Sequence, residues 1–455
     1  MRSVSRRDFL RTSSALAAGL HVGNSFATAP STSPNEKLDL GIIGPGNRGG
    51  ANLAGVSSEN IVALCDVDDR QAAKAFETFP GAARYKDFRK LLDKEKLDGI
   101  VVSTADHVHA HASLAGMRRG LHCYCEKPLA HSVWESRLMT QTAKEKNLAT
   151  QMGTQIHATE NYRRVVEVVQ SGALGPIREV KVWVTKGKHW GGGERPEEVQ
   201  PIPPEVDWDL WLGPAPERPF HNTYLPGNWR AWWDFGNGML GDMGCHYIDL
   251  VFWALGLRHP TNIAAEGPPV HSETAPLGLK VTWNFPPRGE QPPVTLTWMD
   301  GDMVEKPVHE KELPNAGVYF VGDKGSMFAS YGNYRLFPEE QFKDFTPPPK
   351  SIDKSIGHHQ EWIAACKTGS PTLCNFDYSG ALSETVLLGS VAYRTGKTLD
   401  WNAATLTATN APEADQYLRR EYRKGWELSS RMISTRRTTP PSATSLVSAS
   451  SASPR

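Results

Sequence analysis

The chain has 455 residues, more than one hydrophobic core normally organises, so two domains are expected. Lys and Arg together number 50, as do Asp and Glu, which leaves no net field to draw nucleic acid or an anionic membrane. With 39% apolar and 22% charged residues the composition is that of a globular protein, not of a disordered or membrane-embedded chain.

In chain order, the first feature is an address. Ser5-Arg6-Arg7-Asp8-Phe9-Leu10 is a twin-arginine motif, and a short apolar stretch, Thr12 to Leu20, follows it. A small-residue site at Ser25-Phe26-Ala27 suggests cleavage after Ala27. Residues 1–30 therefore read as a signal for export in folded form to the periplasm. The apolar run is too short to span a bilayer, and no other segment approaches such a span.

Residues 36–155 alternate between strand-like and helix-like segments. Strands are expected at Leu38–Ile43, Ile61–Cys65, Gly99–Val102, His122–Cys125 and Leu148–Met152. A helix opens near Gly49, and others are expected at His107–Arg119 and Val133–Lys146. Strands spaced by helical segments of this length imply βαβ units and a parallel sheet, a Rossmann-type domain.

The pattern changes over 156–430. Ile177–Thr185 alternates as a long strand exposed on one face, and Gly187–Trp233 is rich in Gly, Pro and Trp with little periodicity. Such a long ordered loop is the kind of segment that covers a site. Strands follow near Leu279–Phe285, Val294–Met299, Gly317–Val321 and Met327–Ser330, then helices at His358–Lys367 and Ala381–Tyr393. This grouping predicts an α+β domain with a large, mostly antiparallel open sheet, giving an α/β protein overall. Residues 436–455, rich in Ser and Thr, read as a disordered tail.

Several of the 14 tryptophans cluster between Trp208 and Trp233, where they either line a carbohydrate site or fill a core. The six cysteines (65, 123, 125, 245, 366 and 374) are scattered without a CxxC pair and read as free, buried core residues.

Three motifs carry chemistry. Gly44-Pro45-Gly46-Asn47-Arg48-Gly49 is a GxGxxG sequence directly after a strand and opening a helix. The first glycine permits the tight turn, the second lets backbone approach a pyrophosphate, and the third packs helix on strand. The next strand ends at Asp66, where a carboxylate bonds the adenosine ribose and repels a 2′-phosphate, so NAD is favoured over NADP. Glu126-Lys127-Pro128 follows the His122–Cys125 strand at the carboxyl edge of the sheet, where ligands bind; alone it is equally a solvated turn. With Gly44, Gly46, Asn47, Arg48, Gly49 and Asp66, the candidate cofactor contacts are Ser103, Thr104, His107, Glu126 and Lys127.

The third motif is Gly241-Asp242-Met243-Gly244-Cys245-His246-Tyr247-Ile248-Asp249 on a predicted helix. Asp242 and His246, four apart, share a face, so the carboxylate could orient a catalytic imidazole or form a structural pair. Zinc would need a third protein ligand, and nothing nearby supplies one clearly, so no metal is assigned.

Together, GIIGPGNRGG at 41–50, CDVD at 65–68, EKPLAHS at 126–132 and GDMGCHYID at 241–249 resemble the Gfo/Idh/MocA family. HHQEWIAACKTGSP at 358–371 looks like that family's C-terminal region. The resemblance implies Lys127, Asp242 and His246 as a catalytic trio, an NAD cofactor and a homodimer or homotetramer built on the open sheet. Relatives often have a Thr-Pro pair within the stretch where Ser103-Thr104-Ala105-Asp106-His107 stands, which bears on the shape of that loop.

The expected function is hydride transfer between a sugar, polyol or sugar derivative and the nicotinamide, with no nucleic-acid partner. His246 would take the hydroxyl proton, Asp242 orient it, and Lys127 hold the oxygen as charge develops. Arg163, Trp190, His221, Trp229 and Trp233 are candidates for the substrate pocket. Because free NAD is scarce outside the cytoplasm, export also suggests a closed cycle on a retained cofactor, either sugar–sugar oxidoreduction or net glycoside hydrolysis. A catalytically silent NAD-dependent binding protein is the third class.

Overall fold

The computed structural model describes residues 36–185, 190–305 and 313–428; the signal at 1–30 and the tail at 436–455 lie outside the described residues. The first sheet is built from β1 (Asp39–Ile43), β2 (Asn60–Cys65), β3 (Ala83–Tyr85), β4 (Gly99–Val102), β5 (His122–Cys125) and β6 (Thr150–Met152). All its pairings are parallel, in the order β3-β2-β1-β4-β5-β6. This is the doubly wound order, and its chain reversal between β1 and β4 opens a crevice at the carboxyl ends of the strands. β1 and β4 are covered on both faces, which explains their unbroken apolar runs.

Five helices connect or follow these strands: α1 (Arg48–Gly55), α2 (Asp69–Thr78), α3 (Phe88–Lys94), α4 (Asp106–Arg118) and α5 (Val133–Glu145). α5 opens on a capping box in which the Ser132 hydroxyl accepts from the Glu135 amide and Glu135 reaches back to the Ser132 amide. The short strand β3 and helices α2 and α3 fill the stretches that the sequence marks only as amphipathic.

After α6 (Glu160–Gln170) the chain builds a second sheet: β7 (Ile177–Val184), β8 (Asn262–Glu266), β9 (Lys280–Phe285), β10 (Val294–Asp300), β11 (Ala316–Gly322), β12 (Gly325–Ala329), β13 (Tyr334–Phe337), β14 (Leu399–Asn402) and β15 (Thr407–Ala408). The order is β13-β12-β11-β7-β10-β9-β8-β14-β15, antiparallel except where β7 meets β10. The outer strands β8, β13, β14 and β15 escape a sequence reading because they are short and mix polar with apolar residues.

The remaining helices are α7 (Trp208–Leu212), α8 (Gly238–Leu255), α9 (His358–Thr368), α10 (Phe376–Thr395) and α11 (Asp415–Leu418). α8 is apolar around most of its circumference because it is enclosed by α6, α10 and the second sheet. α10 joins the two domains. It packs on α5, where Thr140 presses against Gly380 so closely that a Cβ there would overlap its hydroxyl. Arg137 and Glu384 form a bidentate ion pair across the same contact, at 2.7 Å for each bond. The C-terminal segments return to the first domain: Trp362 and Ile363 of α9 enter the core of Leu40, Leu53 and Tyr124, and Trp426 accepts from the His111 ring at 2.8 Å.

The tryptophans at 208, 211, 229, 232 and 233 are buried, and the segment expected as one loop contains α7 and two 3₁₀ turns. The six cysteines are free and buried.

One buried pair anchors α8. His157 Nδ1 lies 3.0 Å from both carboxylate oxygens of Asp249, and its ring stacks on Trp253 at 3.8 Å between centroids. Burial alone would lower the His157 pKa, but Asp249 outweighs it and the group is pushed up to about 10. The pair's stabilisation is therefore complete below the unfolded histidine pKa of about 6.5 and is lost as pH rises towards 10. Asp249→Asn is expected to cost about 3–5 kcal/mol, read by denaturant unfolding near neutral pH.

Candidate active site

The crevice at the strand ends holds a cleft of about 310 Å³, walled by both domains. Its floor is the turn from β1 into α1. Gly44 has φ of +80°, and a Cβ there would meet the Ser103 carbonyl oxygen at 2.7 Å. A Cβ at Gly46 would lie 2.8 Å from the Gln71 backbone, and one at Gly49 only 1.8 Å from the Gly44 oxygen. The three glycines thus form a cradle closed to any side chain, with the N-terminus of α1 pointing into it. Asn47 steadies the turn by donating to Gln71 at 2.6 Å. The dimensions and donors fit a dinucleotide pyrophosphate.

Asp66, beyond β2, lines the same cleft and accepts from the Asp68 amide at 3.0 Å. Burial pushes its pKa up to about 7, so hydroxyl donors from a ribose would favour its ionised form. Ser103, Thr104 and Glu126 stand at the ends of β4 and β5, also in the wall. Glu126 is buried but bonded by Arg48 Nε at 3.1 Å and Asn52 Nδ2 at 2.9 Å. Burial would raise its pKa, yet Arg48 and Lys127 hold it below the usual range.

His107 lines the same cleft and is tied to the loop that covers it. Its Nε2 lies 2.9 Å from the Trp211 carbonyl oxygen and its ring packs against Trp211 and Phe235. Burial takes its pKa down to about 3. Its Nε2 thus secures the overlying loop, while its Nδ1 is buried and unpartnered among the described residues. Arg163, His221 and Trp233 lie outside the cleft lining. Arg163 pairs with Glu361 at 3.2 Å, His221 caps a 3₁₀ turn through the Thr223 amide, and Trp233 donates to the His271 carbonyl.

Lys127, Asp242 and His246 do converge, but not in the expected pairing. Lys127 Nζ donates to the Asp242 Oδ1 at 2.7 Å and to its carbonyl oxygen at 2.6 Å. Arg230 Nε reaches the same carboxylate at 3.1 Å, and Trp190 Nε1 donates to Oδ2 at 2.6 Å. Burial opposes ionisation of Asp242, but Lys127 and Arg230 hold its pKa far below the usual carboxylate range. Asp242 therefore fixes Lys127, not His246. The i, i+4 spacing is satisfied, yet the stronger cations outcompete the imidazole for the carboxylate. Trp190 thus supports Asp242 through its indole nitrogen and does not line the cleft itself.

His246 lines the cleft with its Nδ1 buried and unpartnered among the described residues. Burial, then Lys127, lowers its pKa to about 3, so the imidazole is neutral at physiological pH.

Two residues of this centre escape sequence reading. Arg230, between the singled-out tryptophans, stacks its guanidinium 4.2 Å from the Trp229 ring and lines the cleft with it. Asp106 opens α4 and is buried in the same wall. Burial raises its pKa to about 8, although Arg230 and Lys127 pull the other way. Its only sequence signal is an acid at a helix start, which is common.

Residues 38–154 match the family described as oxidoreductase, NAD-binding Rossmann fold, and residues 158–428 match its C-terminal alpha/beta domain. The chain belongs to the Gfo/Idh/MocA oxidoreductase family. Its first domain is thus an NAD-binding Rossmann domain of that family. Among similar curated proteins is a levoglucosan dehydrogenase of Pseudarthrobacter phenanthrenivorans, 23% identical over 49% of this chain and 52% of that protein. A glycosyl hydrolase family 109 protein of Saccharopolyspora erythraea is 28% identical over 52% of each chain. The chain thus spans about half the length of the curated relatives it matches. Among solved structures, the WlbA dehydrogenase of Bordetella pertussis, in complex with NADH and UDP-GlcNAcA, has a TM-score of 0.57 at 16% identity, covering 81% of this chain and 99% of that one. GenD2 from gentamicin A biosynthesis, in complex with NAD, has a TM-score of 0.56 at 17% identity, covering 82% and 99%. At these identities the structural likeness speaks for the fold.

Proposed function

We propose that this protein is an NAD-dependent oxidoreductase acting on a hydroxyl-bearing carbon of a sugar, polyol or sugar derivative. The observation that carries the reading is Lys127, clamped by Asp242 in a cleft whose other end is a dinucleotide cradle. NAD held by Gly44, Gly46, Asn47 and Asp66 would supply the hydride acceptor, and NADP is disfavoured by the Asp66 carboxylate. Lys127 donates to the substrate oxygen and steadies the negative charge it gains. His246, neutral and facing the cleft, takes the hydroxyl proton. Arg230 and Trp229 border the remaining space and position the substrate. The direct test incubates the purified protein with NAD and a panel of sugars and polyols and follows nicotinamide absorbance. Absence of reduction across the panel, with NAD bound, counts against the reading.

The low pKa of His246 makes a separate prediction. Its basic form persists well below the ordinary imidazole value of about 6.5, so kcat/KM in the oxidation direction should show no acid limb near that pH. A pH profile with a midpoint at 6.5 that vanishes in His246→Ala would overturn this account. The same variant is expected to lose about 100- to 10,000-fold in turnover while still binding NAD.

Similarity to a glycosyl hydrolase family 109 protein supports a second reading, in which oxidation and re-reduction on a retained NAD give net glycoside cleavage. Asp106, held up to about 8, could serve as a proton donor to a leaving aglycone. Release of nitrophenol from nitrophenyl glycosides without net NADH would favour it.

We also propose export in folded form through Arg6 and Arg7; a double lysine variant should then remain in the cytoplasmic fraction. A homodimer or homotetramer through the nine-stranded sheet is proposed in turn, and light scattering of a monomer would refute it.

A further inference from the structure

A second cavity, of about 200 Å³, shares no lining residue with the cofactor cleft. Trp233, a sequence candidate for sugar contact, belongs here, as do His131 and Ser132 from the Glu126–Ser132 motif. α10 contributes Ser390 and Arg394, one turn apart, and Gln416 and Arg420 come from α11 and the residue pair beyond it.

Arg394 is the unusual group. Its guanidinium lies 4.8 Å from the Trp233 ring centroid and 4.2 Å from that of Tyr417. Among the described residues it has no hydrogen-bond or ion-pair partner. Burial lowers its pKa, and the nearby Tyr417 and Asp234 offset that only in part, which marks a cation taken partly out of water. Nearby, His131 Nε2 and Arg420 Nη1 are buried and also unpartnered among the described residues. Two acids stand in the wall, Asp234 and Glu421, and Asp234 is already engaged by Arg218. A planar guanidinium held by aromatic rings presents a fork that matches a carboxylate. The rest of the lining is rich in neutral hydrogen-bonding groups: Ser132, Asn237, Ser390, Gln416 and His131, the last kept neutral by burial and by Arg420. The volume falls below the range of about 300–1,000 Å³ for larger ligands, so the occupant is small.

We propose that this cavity is a second small-molecule site for a small hydroxylated carboxylate of the sugar-acid type, with the acid group on Arg394 and the hydroxyls on the neutral polar rim. The site does not depend on the redox reading of the cleft. It does adjoin the cleft's supports: Asn237 donates to the His131 carbonyl at 3.1 Å, and these residues precede α8 and follow Lys127 in the chain.

The test is calorimetric titration of the full chain, at constant ionic strength, with sodium gluconate, glucose and inorganic phosphate. Saturable gluconate binding is expected, tighter than either of the others and weakened at least about tenfold in Arg394→Gln. Arg394→Lys, which keeps the charge without the fork, should weaken it too, and it decides the matter if Arg394→Gln fails to fold. Because gluconate could also enter the cleft, the titration is repeated in Lys127→Ala, where binding at the Arg394 cavity persists. No saturable binding, binding indifferent to both Arg394 variants, glucose as tight as gluconate, phosphate as tight as gluconate, or loss in Lys127→Ala would each overturn the proposal.

Discussion

Replacing Lys127 with methionine is expected to lower kcat about 100- to 1,000-fold, the loss typical of a donor that stabilises charge only as it develops. The ammonium is the link between the ionised Asp242 and the substrate oxygen, and methionine keeps most of the stem volume without the charge. NAD affinity should change little, because the glycine cradle and Asp66 stand apart from the Lys127–Asp242 bond. Removal of Lys127 also leaves Asp242 with Arg230 and Trp190 as partners. The carboxylate therefore remains compensated, and the variant should fold. Steady-state kinetics with nucleotide titration separate these effects. A variant with full kcat would remove Lys127 from the chemistry, and one that loses NAD binding in parallel would make it a cofactor contact alone.

The second large effect is expected at Gly49. An alanine Cβ would stand 1.8 Å from the Gly44 carbonyl oxygen, a backbone atom that cannot rotate out of the way. Overpacking commonly costs about 1–3 kcal/mol, and here the strain falls on the turn that receives the pyrophosphate. Gly49→Ala should therefore reach the upper end of that range and lose most NAD affinity. Urea unfolding and nucleotide titration test the two consequences separately. Gly50→Ala is the control, since a Cβ there meets only the Pro45 oxygen at 3.4 Å, an ordinary contact. Equal behaviour of the two variants would show that the cradle does not require the third glycine.

The Rossmann half was legible because its signals are local. β1, β4 and β5 are internal strands whose apolar runs end at turn residues, and the glycine spacing of 44–49 has a conformational cause within six residues. The family resemblance likewise grouped Lys127, Asp242 and His246; Lys127 and His246 line one cleft, and Asp242 holds the Lys127 ammonium. Edge strands such as β13 and β15 were not legible, since strands of four and two residues are too short to establish a period.

Partnership within the centre was a different matter. The four-residue spacing of Asp242 and His246 determined only that they share a helix face. Which group the carboxylate holds depended on Lys127 and Arg230, brought from residues 115 and 12 positions away by the packing of α8 against the first domain and its covering loop. The tryptophans show the same limit: an indole's sequence does not say whether its face meets a sugar, a guanidinium or a core. By itself the sequence determined what each short segment can do, namely cradle a phosphate, present a cation or bury a face. Tertiary structure decided which groups meet. Electrostatic pairing and desolvation depend on distance in space and on what excludes water, and neither is a property of local sequence.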